Sequence, residues 1–215
     1  MGFPLPVILA LLLNELKSNT YKRCVQTVTY IPHFVSVVVI SGMIIDFCAS
    51  DGLISDVLAV FGVERSNLLM KAPLFKTIYV LSDIWQGTGW ASIVYLAALT
   101  AIDSSLYEAA MLDGAGRFKQ TLHVTIPGII PTVVTMLILR VGAIMSVGAE
   151  KIILLYNPTT YETAETISSY VYQMGLVNMN FSFSTAVGLF NSVINLILLV
   201  LTNIISKKTT EVGLW

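Results

Sequence analysis

Four stretches of mostly apolar residues restrict the fold of this chain more than any other feature: Val28–Ala49, Leu74–Leu99, Gly128–Ala149 and Phe183–Ser206. A helix of about 20 apolar residues crosses the hydrocarbon layer of a bilayer with every backbone N–H and C=O satisfied inside itself. The rest of the chain has no polar coat for a water-soluble core of this size, since 55% of its 215 residues are hydrophobic and 12% are charged. The predicted fold class is therefore all-α, a polytopic transmembrane helical bundle with four full spans. A fifth apolar stretch, Gly2–Leu16, contains Pro4 and Pro6 and is too short to span. It reads either as a half-membrane or interfacial element, or as the tail of a span that begins outside the chain. A signal peptide would need a basic region before it and a small-residue cleavage site after it, and neither is present. An N-terminally incomplete chain is expected.

The net charge of −1 provides no basic surface for nucleic acid. Cys24, Cys48, His33 and His123 stand singly, without the spacing of a metal or redox centre, so they read as packing residues and no metal or cofactor is expected. Orientation follows from the basic residues. Lys17, Lys22, Arg23, Arg117, Lys119, Lys207 and Lys208 fall on one side if the spans alternate. Arg65, Lys71, Lys76 and Lys151 fall on the other, mixed with Asp51, Asp56, Glu64, Glu150, Glu162 and Glu165. The first side is read as cytoplasmic, which puts the loop after Leu99 and the C-terminus in the cytoplasm. The opposite loop, Lys151 to Asn180, has a turn at Asn157-Pro158 and room for a short amphipathic helix around Thr163–Met174.

Between the second and third spans lies a polar island, YEAAMLDGAGRFKQTLHVTIPG, from Tyr107 to Gly128. Ser105 and Glu108 fit a capping box, which predicts a helix starting near Leu106. Gly114 and Gly116 break that helix, Arg117–Val124 forms a second, and Pro127 ends it. The expected product is a helix-turn-helix outside the bilayer. Ala109, Ala110, Gly114, Ala115 and Gly116 allow a second backbone to approach, and Leu106, Met111, Leu112 and Phe118 offer apolar anchors. Spacing alone leaves two readings open: a docking element for another protein, or an amphipathic interfacial loop in which Glu108 caps the helix and Asp113 is a solvated charge. DNA binding does not fit, because Glu108 and Asp113 offset the island's two basic residues, Arg117 and Lys119.

Glu108-Ala109-Ala110, Gly114 and Val124-Thr125-Ile126-Pro127 resemble the EAA loop, E-A-A-x3-G-x9-I-x-L-P, of permease subunits in bacterial binding-protein-dependent ABC importers. Val124 stands where the family usually has Ile, and Ile126 where it has Leu. The resemblance extends along the chain through LLLNELKS, YIPHF, LSDIWQGTGWASIVYLAAL, LLYNP, YVYQMGL, STAVGLFNSVINLILL and VGLW, which are similar to LplB-like carbohydrate permeases of the MetI-like fold. It implies one transmembrane permease domain over residues 1–215, an EAA coupling loop at about 103–127, and residence in the bacterial plasma membrane. The implied partners are cytoplasmic ATPase subunits, a second permease subunit, an extracellular solute-binding protein and a sugar or oligosaccharide substrate. Glu108, Ala109, Ala110, Asp113, Gly114, Ala115, Gly116 and Arg117 are implied to seat in the ATPase, with Glu108 meeting a cation or hydrogen-bond donor and Gly114 fixing the bend. Neither a P-loop nor a nucleophile–base pair occurs in the chain. ATP hydrolysis is expected on a separate subunit.

Polar side chains inside spans are costly and usually meet each other or a cavity. Asp83 and Arg140 are expected either to pair structurally or to line a pathway, and Arg140 otherwise meets backbone carbonyls. Ser184, Gly188, Asn191 and Asn195 share one helix face, as do Asp83 and Trp90. The amides can join helices or bind sugar hydroxyls, and Trp90 can stack on a sugar ring. Tyr79 and Trp85 read as packing or lipid-facing aromatics. Two other functions remain open: an ion-coupled secondary transporter with Asp83 and Arg140 as a titrating pair, and an inactive truncated membrane remnant.

Overall fold

The computed structural model describes residues 2–146 and 148–215, and among these the secondary structure is helical throughout. In chain order the helices are α1 (Pro4–Glu15), α2 (Asn19–Phe34), α3 (Val37–Cys48), α4 (Leu53–Val60), α5 (Ala72–Thr100), α6 (Ser104–Leu112), α7 (Arg117–Gln120), α8 (Ile126–Gly142), α9 (Ala149–Leu155), α10 (Tyr161–Ala164), α11 (Ile167–Tyr172) and α12 (Phe181–Thr210). By length and composition, Val37–Val60, Arg117–Gly142 and Phe181–Thr210 are long and apolar enough to cross a membrane. Ala72–Thr100 makes a fourth when taken with Ser104–Leu112, which follows it at a bend of 66°.

Two of the expected spans have different limits. Val28–Ala49 is not one helix, because α2 ends at Phe34 and Ser36 caps a new one by accepting from the Val39 N–H at 3.3 Å. A serine hydroxyl competes for backbone donors and favours a helix start over a helix interior. The third span begins earlier than expected, at Arg117, and closes at Gly142 rather than Ala149.

The chain forms two compact units, with α2, α5 and α12 contributing residues to both. One unit holds residues up to Tyr30, Gly87–Gly142 and Ile197–Trp215. Its core is Ala10 and Leu13 of α1, Tyr95, Leu96 and Leu99 of α5, and Ile129 of α8. Ala10 and Leu13 are 0% and 1% exposed, so the short N-terminal helix is packed on protein along that face. Here α2 and α5 also meet so closely that a Cβ on Gly89 would collide with the Thr29 carbonyl. Small residues at such crossings let membrane helices pack by backbone contact.

The other unit holds Ile31–Gln86 and Ala143–Leu196. Cys48, Leu68, Leu69, Phe75, Leu155 and Ala164 form its core. The Asn157-Pro158 turn is pinned to it by hydrogen bonds from Asn157 Nδ2 to the Leu69 carbonyl and from Thr159 Oγ1 to the Met70 carbonyl, both 3.2 Å. The short helix expected beyond this turn is α11, extended by a π-helical turn at Gln173–Val177.

Candidate functional site

The polar island is a helical hairpin within the first unit, and its bend comes from backbone chemistry. Asp103 caps α6 by accepting from the Ser105 N–H at 2.9 Å. In place of the expected capping box at Ser105 and Glu108, the N-cap is Asp103, two residues upstream, whose carboxylate satisfies the free donor. Hydrogen bonds from the Ser105 backbone and hydroxyl hold the Asp103 carboxyl below its usual range. Glu108 and Ala109 are exposed on α6, and Ala110 is half-buried.

Helix α6 ends in a left-handed glycine, Gly114, with φ of +76°. The Gly114 N–H donates to Met111 and the Ala115 N–H to Ala110, at 3.0 and 2.9 Å. This paired pattern is a Schellman motif, which consumes carbonyls that a helix end would otherwise leave free. Gly116 precedes α7, and Gln120 Nε2 bonds the Ala115 carbonyl at 2.8 Å. Asp113, Gly114, Gly116 and Arg117 are exposed and Ala115 is half-buried. The tip carries two bare apolar side chains, Leu112 at 90% and Phe118 at 81% exposure.

Pro127 does not end the second helix. A π-helical turn at Thr121–Thr125 joins α7 to α8 without a break, the Ile126 N–H donating to the Thr121 carbonyl. Widening the turn accommodates a proline, which lacks the N–H an α-helix would use. Three contacts that the sequence did not announce brace the hairpin. The Tyr107 hydroxyl lies 3.0 Å from that of Thr125, which is 2% exposed. Thr121 Oγ1 donates to Glu15 of α1 at 3.2 Å, and Arg117 pairs with the same carboxylate at 3.9 Å. Glu15 had no motif to mark it; its partners are more than a hundred residues away.

The polar span residues divide between the units. Trp90 and Arg140, both exposed, belong to the first, whereas Asp83, Asn191 and Asn195 belong to the second. Asn195 accepts from the Met145 N–H at 3.2 Å and donates to Ser146 Oγ at 3.0 Å. Asn191 Nδ2 reaches the Met145 carbonyl at 3.5 Å, while its Oδ1 is buried without a partner. Ser184 Oγ donates to the Val171 carbonyl at 2.9 Å. The polar stripe of α12 therefore ties down irregular backbone beside it.

Within the second unit, Asp83 is an electrostatic neighbour of Lys151. Lys151 Nζ donates to Gln86 Oε1 at 3.2 Å and lies 5.8 Å from the centre of the Tyr79 ring. Tyr79, Asp83 and Gln86 recur at i, i+4 and i+7 along α5, one face of that helix. Tyr79 packs against the core of this unit, as expected, and its ring also lies beside the Lys151 ammonium. In the sequence Lys151 reads only as a loop charge, since its burial arises from contacts distant in sequence.

Residues 2–211 match the family described as "Binding-protein-dependent transport system inner membrane component". The chain is 45% identical over 214 residues to the polygalacturonan/rhamnogalacturonan transport system permease protein YteP of Bacillus subtilis (strain 168), an alignment covering 99% of this chain and 67% of that one. It is 43% identical to protein LplB of the same organism, over 100% of this chain and 68% of the relative. Among solved structures, a bacterial alginate ABC transporter in complex with alginate pentasaccharide-bound periplasmic protein superimposes with a TM-score of 0.95 at 43% identity, covering 100% of this chain and 75% of that one. A bacterial ABC transporter involved in the import of the acidic polysaccharide alginate gives 0.94 at 43% identity, covering 98% and 74%. With an all-α membrane fold, a glycine-bent polar hairpin between spans and matches over nearly its whole length, the chain belongs to the binding-protein-dependent transport system inner membrane components, the permease subunits of ATP-driven importers whose ATPase is a separate subunit.

Proposed function

We infer that this permease carries acidic oligosaccharides across the bacterial plasma membrane, residues 1–215 acting as one domain driven through the hairpin at about 103–127. The permeases similar to it handle polygalacturonan, rhamnogalacturonan and alginate, according to their names. Galacturonan and alginate are built from uronic acids, with a carboxylate on each unit. The working assembly pairs this subunit with a second permease, cytoplasmic ATPase subunits and an extracellular solute-binding protein. The hairpin and C-terminus face the cytoplasm, in line with the basic residues gathered at Lys17, Lys22, Arg23, Arg117, Lys119, Lys207 and Lys208.

The observation that carries the coupling role is the bare apolar tip, Leu112 and Phe118, on a hairpin whose base is tied by Tyr107–Thr125 and Thr121–Glu15 hydrogen bonds. Burying each of these side chains in a partner contributes about 1.5–3 kcal/mol, enough with Met111 and Leu106 to hold a coupling knob in a groove. Glu108 stands free on the same helix to meet a cation or donor, and Ala109, Ala110, Ala115 and Gly116 leave space for close seating. Asp113, Gly114 and Arg117 set the bend and the brace to Glu15. Displacement of the tip is transmitted along α7 into α8, since the two are helically continuous. Asp83, Asn191 and Asn195 of one unit, and Trp90 and Arg140 of the other, are the residues each unit offers to a substrate, and the buried Oδ1 of Asn191 has no partner among the described residues.

Cysteine crosslinking from Leu112→Cys to the ATPase subunit tests the reading in the assembled importer. A crosslink that changes with nucleotide is expected. Its absence, in an importer that takes up oligogalacturonate, overturns the coupling role of the hairpin.

A further inference from the structure

Lys151 is the one charged side chain buried among the described residues, at 5% exposure, and it carries its charge with scant compensation. An ammonium has three N–H donors. Gln86 Oε1 accepts one of them, and the Tyr79 ring offers its face. The ion pairs within 4.0 Å among the described residues join Arg65 to Asp56 and Arg117 to Glu15, so no carboxylate touches Lys151. Asp83, exposed on the same face of α5, acts on it from further away. A buried cation with a neutral partner is unfavourable compared with an apolar residue of similar size, and such arrangements mark functional positions.

We propose that Lys151, with Gln86 and Tyr79, is the subsite of this permease that recognises the carboxylate of a uronate unit during translocation. The inference rests on the acidic-oligosaccharide reading above and names the residues that serve it. A carboxylate brings a full negative charge and lone pairs for the two remaining ammonium donors, so the charge-assisted bonds it makes are stronger than the resident amide bond. The amide grip is what makes the lysine available: a neutral acceptor is released more readily than an ion-paired one. The Tyr79 ring supplies the apolar face on which a pyranose stacks, and Gln86, once freed, can bond sugar hydroxyls. Burial lowers the Lys151 pKa, and the charge of Asp83 opposes that shift.

The complete importer, with its binding protein, partner permease and ATPase, is reconstituted in vesicles and supplied with trigalacturonate or its fully methyl-esterified form. The ratio of saturated uptake rates, acid over ester, is compared between wild type and variants, so that any preference of the binding protein cancels. Lys151→Gln is expected to lower the ratio at least about tenfold and Lys151→Arg to preserve most of it. Gln86→Glu gives the lysine a resident carboxylate and is expected to lower the ratio likewise, which serves should Lys151→Gln fail to assemble. An unchanged ratio in assembled Lys151→Gln or Gln86→Glu importer, while wild type still takes up the acid, overturns the assignment of Lys151 alone. Failure of wild type to take up any uronate oligomer overturns the substrate reading itself, and this inference with it.

Discussion

The Ala115 amide donates to the Ala110 carbonyl at 2.9 Å, closing the end of α6 over a glycine that no other residue replaces without strain. Placing a side chain at a φ of +76° costs about 1 kcal/mol for alanine, and more for a β-branched residue. Gly114→Val is therefore expected to insert normally and to uncouple ATP hydrolysis from uptake, Gly114→Ala to do so mildly, and Glu108→Lys to uncouple without distorting the turn. Parallel assays of vesicle uptake and ATPase rate report it; loss of insertion would make the loop structural.

At the crossing of α2 and α5, Gly89 lies against the Thr29 carbonyl, which is backbone and cannot swing aside. Gly89→Leu is expected to lower the melting temperature of the detergent-solubilised protein and its yield, with Gly87→Leu, which has open space around it, as the contrasting control. Equal melting of the two variants would refute the close crossing.

Asn195 holds the Met145 N–H and Ser146 hydroxyl that follow α8. Asn195→Leu leaves these groups without their partner, at a cost of about 1–3 kcal/mol. The expected outcome is faster amide exchange at Met145 and lower thermal stability, whereas Asn195→Gln loses less.

The Asp103 cap is pH-dependent, and its sign is fixed by the direction of its shift. A carboxyl held below its usual range stabilises the fold at pH above the unfolded aspartate value, and that contribution disappears as the pH falls through the depressed folded value. Amide exchange in the first turn of α6 is expected to speed up on acidification in wild type and to stay flat in Asp103→Asn. A flat wild-type profile would count against the cap.

Uptake is expected to stop on ATP depletion and to survive collapse of the proton gradient. Uptake that persists without ATP and stops with the proton gradient would contradict the ATP-driven assignment.

Much of the fold is legible in the chain because membrane insertion depends on local properties, apolar length and backbone satisfaction. Phe183–Ser206 lies wholly within α12 and Leu74–Leu99 within α5 for that reason. Boundaries that depend on a single side chain were less legible. Ser36 divides Val28–Ala49, and the π-helical turn before Pro127 joins two helices that proline was expected to separate. In the hairpin, Gly114 was readable because left-handed backbone selects glycine locally. Glu15 and Lys151 were not.

From its order of residues alone this chain was bound to be a multi-pass helical membrane protein with a glycine-bent polar hairpin, since hydropathy, capping and glycine act over a few residues at a time. Only tertiary packing decided that Glu15 braces the hairpin and that Lys151 is buried against Gln86 and Tyr79. A charge in a loop and a charge in an interior have the same sequence; the difference lies in the solvent that distant segments remove from around it.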